Sequence, residues 1–195
     1  VENMKMPIEE ALKTGKIVEG TICYTGDIMD PNRQKYSLKY YTDLAKEMEK
    51  AGANIIAIKD MAGLLKPEAS YALISALKDA VDLPIHLHSH EGGGCTLYSY
   101  AKAVDAGVDI VDVATGALSG GTSQPSMTSM YYALQDNPRQ PHLDIDALEP
   151  SIVTGREYAR TMQASIPRCA ARTPHSTSMK CLADSSATCA SRQPL

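Results

Sequence analysis

Four apolar, strand-like runs alternate with helical patterns along residues 16–134 of the chain. The runs read KIVEGTICYTG, ANIIAIKDM, LPIHLHSH and VDIVDVATG, and the helical patterns that follow them cover residues 38–51, 67–80, 96–106 and 124–134. Local signals agree with these helices, with Ser37 as an N-cap and with Gly52 and Gly107 as stops. The pattern therefore predicts four successive strand–helix units.

Near-continuous apolar strands separated by helices are typical of a parallel sheet that is covered on both sides. Such a chain forms either a doubly wound sheet or a (β/α)8 barrel. Polar residues follow every predicted strand, at 24–27, 59–61, 86–90 and 115–122, and barrel enzymes carry their sites at that end of the strands. This favours the barrel, so we expect an α/β fold with about half of a (β/α)8 TIM barrel.

Lys59, His86 and His88 lie where two consecutive predicted strands end. Alternate strand residues share a face, so His86 and His88 point the same way while Leu87 points back into the core. An ammonium group cannot bind a cation, but a lysine that has added carbon dioxide becomes an anionic oxygen ligand. The three residues therefore suggest a metal site with a carboxylated lysine.

Each of these residues also has an ordinary interpretation. A His-x-His pair on an apolar strand is more often made of packed or surface histidines than of metal ligands. A lysine at a strand end more often forms a salt bridge to a neighbour such as Asp60. On the same grounds the roles of His90 and Glu91 stay open.

The composition excludes several classes of partner. The chain has 195 residues, is 44% hydrophobic and carries a net charge of -4 without a basic stripe, which argues against a nucleic-acid partner. No apolar run approaches the ~20 residues of a membrane helix, so we expect no membrane partner.

Five cysteines without metal spacing favour a reducing, cytoplasmic location. A start at Val1 without a leader suggests an internal piece.

The motifs GTICYTGDIMDP, YYTDLAKEMEKAGANIIAIKDMAGLLKP, LPIHLHSH, AGVDIVD and SGGTSQPSMTS resemble the carboxyltransferase domain of the biotin-dependent enzymes, the pyruvate carboxylases in particular. The resemblance covers most of residues 1–150. It implies that Lys59 is an N6-carboxylysine and that it binds a divalent metal (zinc, manganese or cobalt) together with His86 and His88. The α subunits of oxaloacetate decarboxylase and of transcarboxylase share the lysine and histidine motifs and stay as alternatives.

The same resemblance implies a reaction and a set of partners. The family moves a carboxyl group from carboxybiotin to pyruvate and forms oxaloacetate. Biotin arrives on a separate carrier domain, and a biotin carboxylase domain of the parent enzyme uses ATP. We expect the parent to be a homo-oligomer.

Residues 151–195 do not follow the family pattern. From Thr161 onward the chain is rich in Ser, Ala, Thr and Arg and holds three of the five cysteines, without an amphipathic period. Read in another frame, suitable codons give segments that resemble the family's continuation. We therefore divide the chain into a partial barrel domain, 1–150, and an anomalous tail, 151–195, that is irregular or disordered and out of frame.

If the tail is out of frame, the resemblance implies that the chain lacks a hydroxyl group that the family needs for activity. The family uses a Ser or Thr hydroxyl to carry a proton between pyruvate and biotin, and its codon would straddle Ser186 and Ala187. The family's aspartate metal ligand belongs to an upstream strand. We predict that this chain alone has no carboxyltransferase activity. The alternative to an enzyme fragment is a non-catalytic product of truncation or of a frameshift.

Overall fold

The computed structural model describes residues 2–32 and 34–163 of the chain. Four parallel strands form a single sheet in the order β1-β2-β3-β4, and a helix follows each of them. The strands are β1 (Glu19–Cys23), β2 (Ile55–Asp60), β3 (Ile85–Ser89) and β4 (Ile110–Val111). The helices are α1 (Glu2–Leu12), α2 (Leu38–Lys50), α3 (Pro67–Ala80), α4 (Thr96–Asp105), α5 (Met127–Ala133) and α6 (Ile145–Gln163).

The four predicted strand–helix units and the α/β class are confirmed. Every strand pairs in parallel with the next strand along the chain, which is the arrangement of consecutive strands in half of a barrel. The last strand is shorter than predicted, since β4 has only two residues. Helix α1 is an element that the sequence interpretation missed.

The two faces of the sheet differ sharply. One face packs on helices α2, α3 and α4, and its side chains, such as those of Ile56, Ile58 and Leu87, are fully buried. Burying a large aliphatic side chain contributes about 1.5–3 kcal/mol, so this face supplies much of the stability. The opposite face carries Lys59, His86 and His88 and is only partly covered.

A buried carboxylate organises the loop at the carboxyl end of β2. Asp60 is fully buried, and its two oxygens accept hydrogen bonds from the backbone amides of Ala62 (3.2 Å), Leu64 (3.0 Å) and Leu65 (2.8 Å). The Ser89 hydroxyl at the end of β3 donates a fourth hydrogen bond, at 3.0 Å. Asp60 therefore joins the ends of two neighbouring strands.

Gly63 brings the loops that follow β2 and β3 into direct contact. Its φ of +68° is a conformation that L side chains rarely adopt. A Cβ at this position would lie 2.6 Å from the carbonyl oxygen of His90 and 2.9 Å from the amide nitrogen of Gly93. Only glycine allows this close approach.

The boundary predicted at residue 150 falls inside a helix. Helix α6 runs across residue 150, so residues 151–163 are helical and not irregular. Ile152 buries its side chain, and Gly155 lies so close to Thr115 that a Cβ would stand 3.2 Å from the Thr115 hydroxyl. The rest of the predicted tail, 164–195, lies outside the described residues, and its origin in another reading frame stays a prediction.

In the part of the chain that the structure describes, no helix is long and apolar enough to cross a membrane.

Candidate metal centre

The sheet brings the three predicted metal ligands to one face. In the strand register, Lys59 lies opposite His88, and His86 lies opposite Ala57, two residues nearer the amino ends of the strands. All three side chains are half-buried. The carboxylate of Asp60 bonds to the loop backbone and to Ser89 on the helix-covered side, so the salt bridge considered for Lys59 does not form.

His86 lies between two carboxylates. Its Nδ1 lies 2.8 Å from Oε2 of Glu19 in a hydrogen bond, and its Nε2 lies 3.1 Å from Oδ1 of Asp112. That second contact is close but poorly aligned, so the buried Nε2 has no hydrogen-bond partner. Burial lowers the pKa of His86, but the hydrogen bond that its Nδ1–H donates to Glu19 and the charges of both carboxylates outweigh it and raise the pKa above its usual value.

His88 shows the same pattern with a different carboxylate. Its Nδ1 lies 2.6 Å from Oδ2 of Asp112. Burial raises the pKa of Asp112, but the hydrogen bond from His88 and the nearby imidazole of His86 outweigh it and lower the pKa. One carboxylate, just beyond β4, thus lies against both histidines.

His90 and Glu91, whose roles the sequence left open, have different surroundings. The Nδ1 of His90 bonds to the Thr122 carbonyl at 2.6 Å, and its Nε2 lies 3.2 Å from Nε2 of His88. His90 is therefore part of the candidate site. Glu91 instead accepts a hydrogen bond from the backbone amide of Thr96, one of the first-turn amides of α4 that have no partner within the helix.

The chemistry of these donors fits a metal ion in part. An imidazole that binds a metal through one nitrogen commonly gives its other N–H to a carboxylate, and both His86 and His88 have a carboxylate at Nδ1. Residues 2–32 and 34–163 contain no group of three or more His, Cys, Asp or Glu that could hold a metal together. The two imidazoles therefore fit a metal only with a donor of another type, such as a carboxylated Lys59.

Glu19, Asp112 and Gln124 are members of the site that the sequence interpretation missed. Gln124 places its side-chain nitrogen 3.4 Å from Nε2 of His88. The sequence held a signal for Glu19: it is a charged residue inside a predicted strand, and it shares a strand face with Thr21 two positions later. For Asp112 and Gln124 the contacts depend on how segments from separate units meet.

The sequence profile of the HMGL-like family matches residues 19–151, which include the whole sheet and all of the site residues just described. The chain belongs to the HMGL-like family. Individual relatives in this family are also similar: the pyruvate carboxylase of Bacillus subtilis is 54% identical over 149 residues, which are 76% of this chain and 13% of the relative. The mitochondrial pyruvate carboxylase of Homo sapiens is 47% identical over 137 residues, 70% of this chain and 12% of the relative.

Solved structures give the same result for this HMGL-like chain. The carboxyl transferase domain of Rhizobium etli pyruvate carboxylase matches with a TM-score of 0.74 and 48% identity, over 82% of this chain and 26% of that one. The same domain solved with pyruvate and biocytin matches with a TM-score of 0.84 and 46% identity, over 91% of this chain and 30% of that one. The resemblance to the pyruvate carboxylase carboxyltransferase domain is thereby confirmed, and the chain spans about an eighth of the curated relatives' length.

Proposed function

We propose that this chain contributes to the carboxyltransferase centre of a pyruvate carboxylase, which moves a carboxyl group from carboxybiotin to pyruvate and forms oxaloacetate. The observation that carries this is the pair of imidazoles on one sheet face, each with a carboxylate at Nδ1, beside Lys59. The solved relative with pyruvate and biocytin supports the choice of reactants. The similarity to pyruvate carboxylases favours this function over the decarboxylase and transcarboxylase alternatives.

In this proposal Lys59, as N6-carboxylysine, joins His86 and His88 in binding zinc, manganese or cobalt. Two imidazoles and a carbamate oxygen suit any of these ions. A bound divalent ion would polarise the pyruvate carbonyl and stabilise the negative charge of its enolate. The chain's own residues orient the donors: Glu19 holds His86, and Asp112 holds His88.

The other components belong to the parent enzyme in this proposal. A carrier domain brings biotin to the site, and a biotin carboxylase domain loads it at the expense of ATP. The parent is a homo-oligomer in the cytoplasm. For no residue of this chain do we propose a role in catalysis beyond metal binding and the positioning of ligands.

We propose further that this chain has no carboxyltransferase activity by itself. Its four strands leave the face with Lys59, His86 and His88 only partly covered. Electrostatic stabilisation of an enolate depends on excluding water, because a high dielectric weakens every charge interaction. Pyruvate-dependent consumption of carboxybiotin by the purified chain would contradict this proposal.

Metal binding by the 195-residue chain tests the ligand set. The chain, its Lys59→Ala variant and a Lys46→Ala control on the exposed side of α2 are dialysed with zinc or cobalt, with and without bicarbonate, and their metal content is measured. We expect bicarbonate to increase metal retention by the native chain and by the control, and to have no effect on Lys59→Ala. Tight stoichiometric metal in Lys59→Ala would refute the carbamate ligand.

A further inference from the structure

Glu19 is a charged residue on the face of β1 that carries the candidate site, although it lies two strands away from His86. It begins β1, two residues nearer the amino ends than the row formed by Thr21, Ala57 and His86. Ala57 is the residue of β2 between the two strands, and its small side chain leaves room for the carboxylate to reach Nδ1 of His86 at 2.8 Å. The contact therefore spans three strands at the floor of the site.

The direction of this hydrogen bond is fixed by its chemistry. An ionised carboxylate has only acceptors, so the proton must lie on Nδ1 of His86. A neutral imidazole carries one N–H and one lone pair, which leaves the lone pair on Nε2. In the absence of Glu19 either ring nitrogen could carry the proton, and the ring could rotate.

The surroundings of Nε2 point to a ligand. This atom is buried and has no hydrogen-bond partner, and an oxygen of Asp112 stands 3.1 Å away, out of line for a hydrogen bond. In the neutral ring, a lone pair and a carboxylate oxygen at that distance repel each other unless a proton or a metal cation lies beside them. A buried polar atom without a partner is costly, so the arrangement is suited to a cation that binds Nε2.

We propose that Glu19 is a positioning residue that holds His86 as the Nδ1–H tautomer and so presents Nε2 to a metal ion. The metal-binding part of this inference rests on the function proposed above, whereas the tautomer does not. Glu19 itself touches neither substrate nor metal in this scheme. It acts through His86, as outer carboxylates do for histidine ligands in other metal sites.

The tautomer is measured directly in the full chain by long-range proton–nitrogen NMR on protein labelled with nitrogen-15 at histidine. The spectra are taken at alkaline pH, where the imidazoles are neutral, and a His86→Gln variant assigns the signals. We expect the Nδ1–H pattern for His86 in the native chain and in Glu19→Gln, whose amide oxygen still accepts the hydrogen bond. Glu19→Ala should lose this pattern, and Glu47→Ala, an exposed control on α2, should keep it.

Metal affinity gives a second readout, from competition with a chelator for zinc and for cobalt. Loss of an outer carboxylate typically costs about 10–100-fold in metal affinity, so we expect that range for Glu19→Ala, a smaller loss for Glu19→Gln and none for Glu47→Ala. Unchanged affinity in Glu19→Ala, or an Nε2–H tautomer of His86 in the native chain, would overturn the proposal. If the native chain binds no metal, the proposed ligand set fails, and the NMR result still decides the role of Glu19.

Discussion

Replacing Asp60 tests whether one buried carboxylate holds the mouth of the site together. In the Asp60→Ala variant, the backbone amides of Ala62, Leu64 and Leu65 and the hydroxyl of Ser89 all lose their acceptor. Asp60→Asn keeps one acceptor oxygen. Because Leu65 is buried, we expect that oxygen to stay with Leu65 and Ser89, and the amides of Ala62 and Leu64 to turn to water.

The magnitude follows from these contacts. A buried donor that loses its partner costs about 1–3 kcal/mol, and a donor that reaches water costs less. Losing all four hydrogen bonds should destabilise the Asp60→Ala chain by about 3–5 kcal/mol, whereas Asp60→Asn should cost about 1–2 kcal/mol. For a chain of this length about 1 kcal/mol changes Tm by roughly 2–4 °C, so the two variants should differ clearly in a thermal scan.

The assay is thermal and urea unfolding of the full chain, followed by far-ultraviolet circular dichroism, with Asp79→Ala on the exposed side of α3 as the matched control. A surface change of that kind should stay within about 0.5 kcal/mol of the native chain. Equal losses in Asp60→Ala and Asp60→Asn, or a loss below about 1 kcal/mol in Asp60→Ala, would refute the hydrogen-bond argument.

Two further changes test other parts of the structure. Gly63→Ala should destabilise the chain by at least about 1–3 kcal/mol, because its φ is positive and its Cβ would collide with the His90 carbonyl; a native Tm would contradict this. For Asp109, burial raises the pKa, but hydrogen bonds from the Ile85 amide and from Lys78 outweigh it and hold the pKa below its usual value. That stabilisation is present above the usual carboxyl pKa and is lost as pH falls through the lowered one, so Asp109→Asn should flatten the decline of Tm in acid, and an unchanged acid profile would count against it.

The sequence was sufficient for the parts of the fold that depend on local pattern. The near-continuous apolar run in Ile55–Asp60 and the helical period of Pro67–Ala80 are properties of neighbouring residues, so each segment carries its own signal. Helix α1 carried a weaker one. Met4, Ile8 and Leu12 repeat at helical spacing and face the core, but Pro7 lies within the helix and hides the pattern.

The candidate site was predictable only where its residues share a strand. His86 and His88 alternate on β3, so their common face follows from geometry alone. The carboxylates of Glu19 and Asp112 come from the first and last strand segments, 67 and 24 residues away in sequence from the imidazoles that they contact. Contacts of that kind depend on strand order and register.

The strand order β1-β2-β3-β4 has a consequence for how the protein is made. Each of β2, β3 and β4 pairs with the strand synthesised just before it, so each of these strand–helix units finds its docking edge already in place as it leaves the ribosome. Folding can then proceed by stepwise growth from the amino end, with short loop closures at every step. Because His86 and Glu19 meet across three strands, their contact forms only when the third strand–helix unit docks. The contact therefore marks the stage of folding at which three strands are in place.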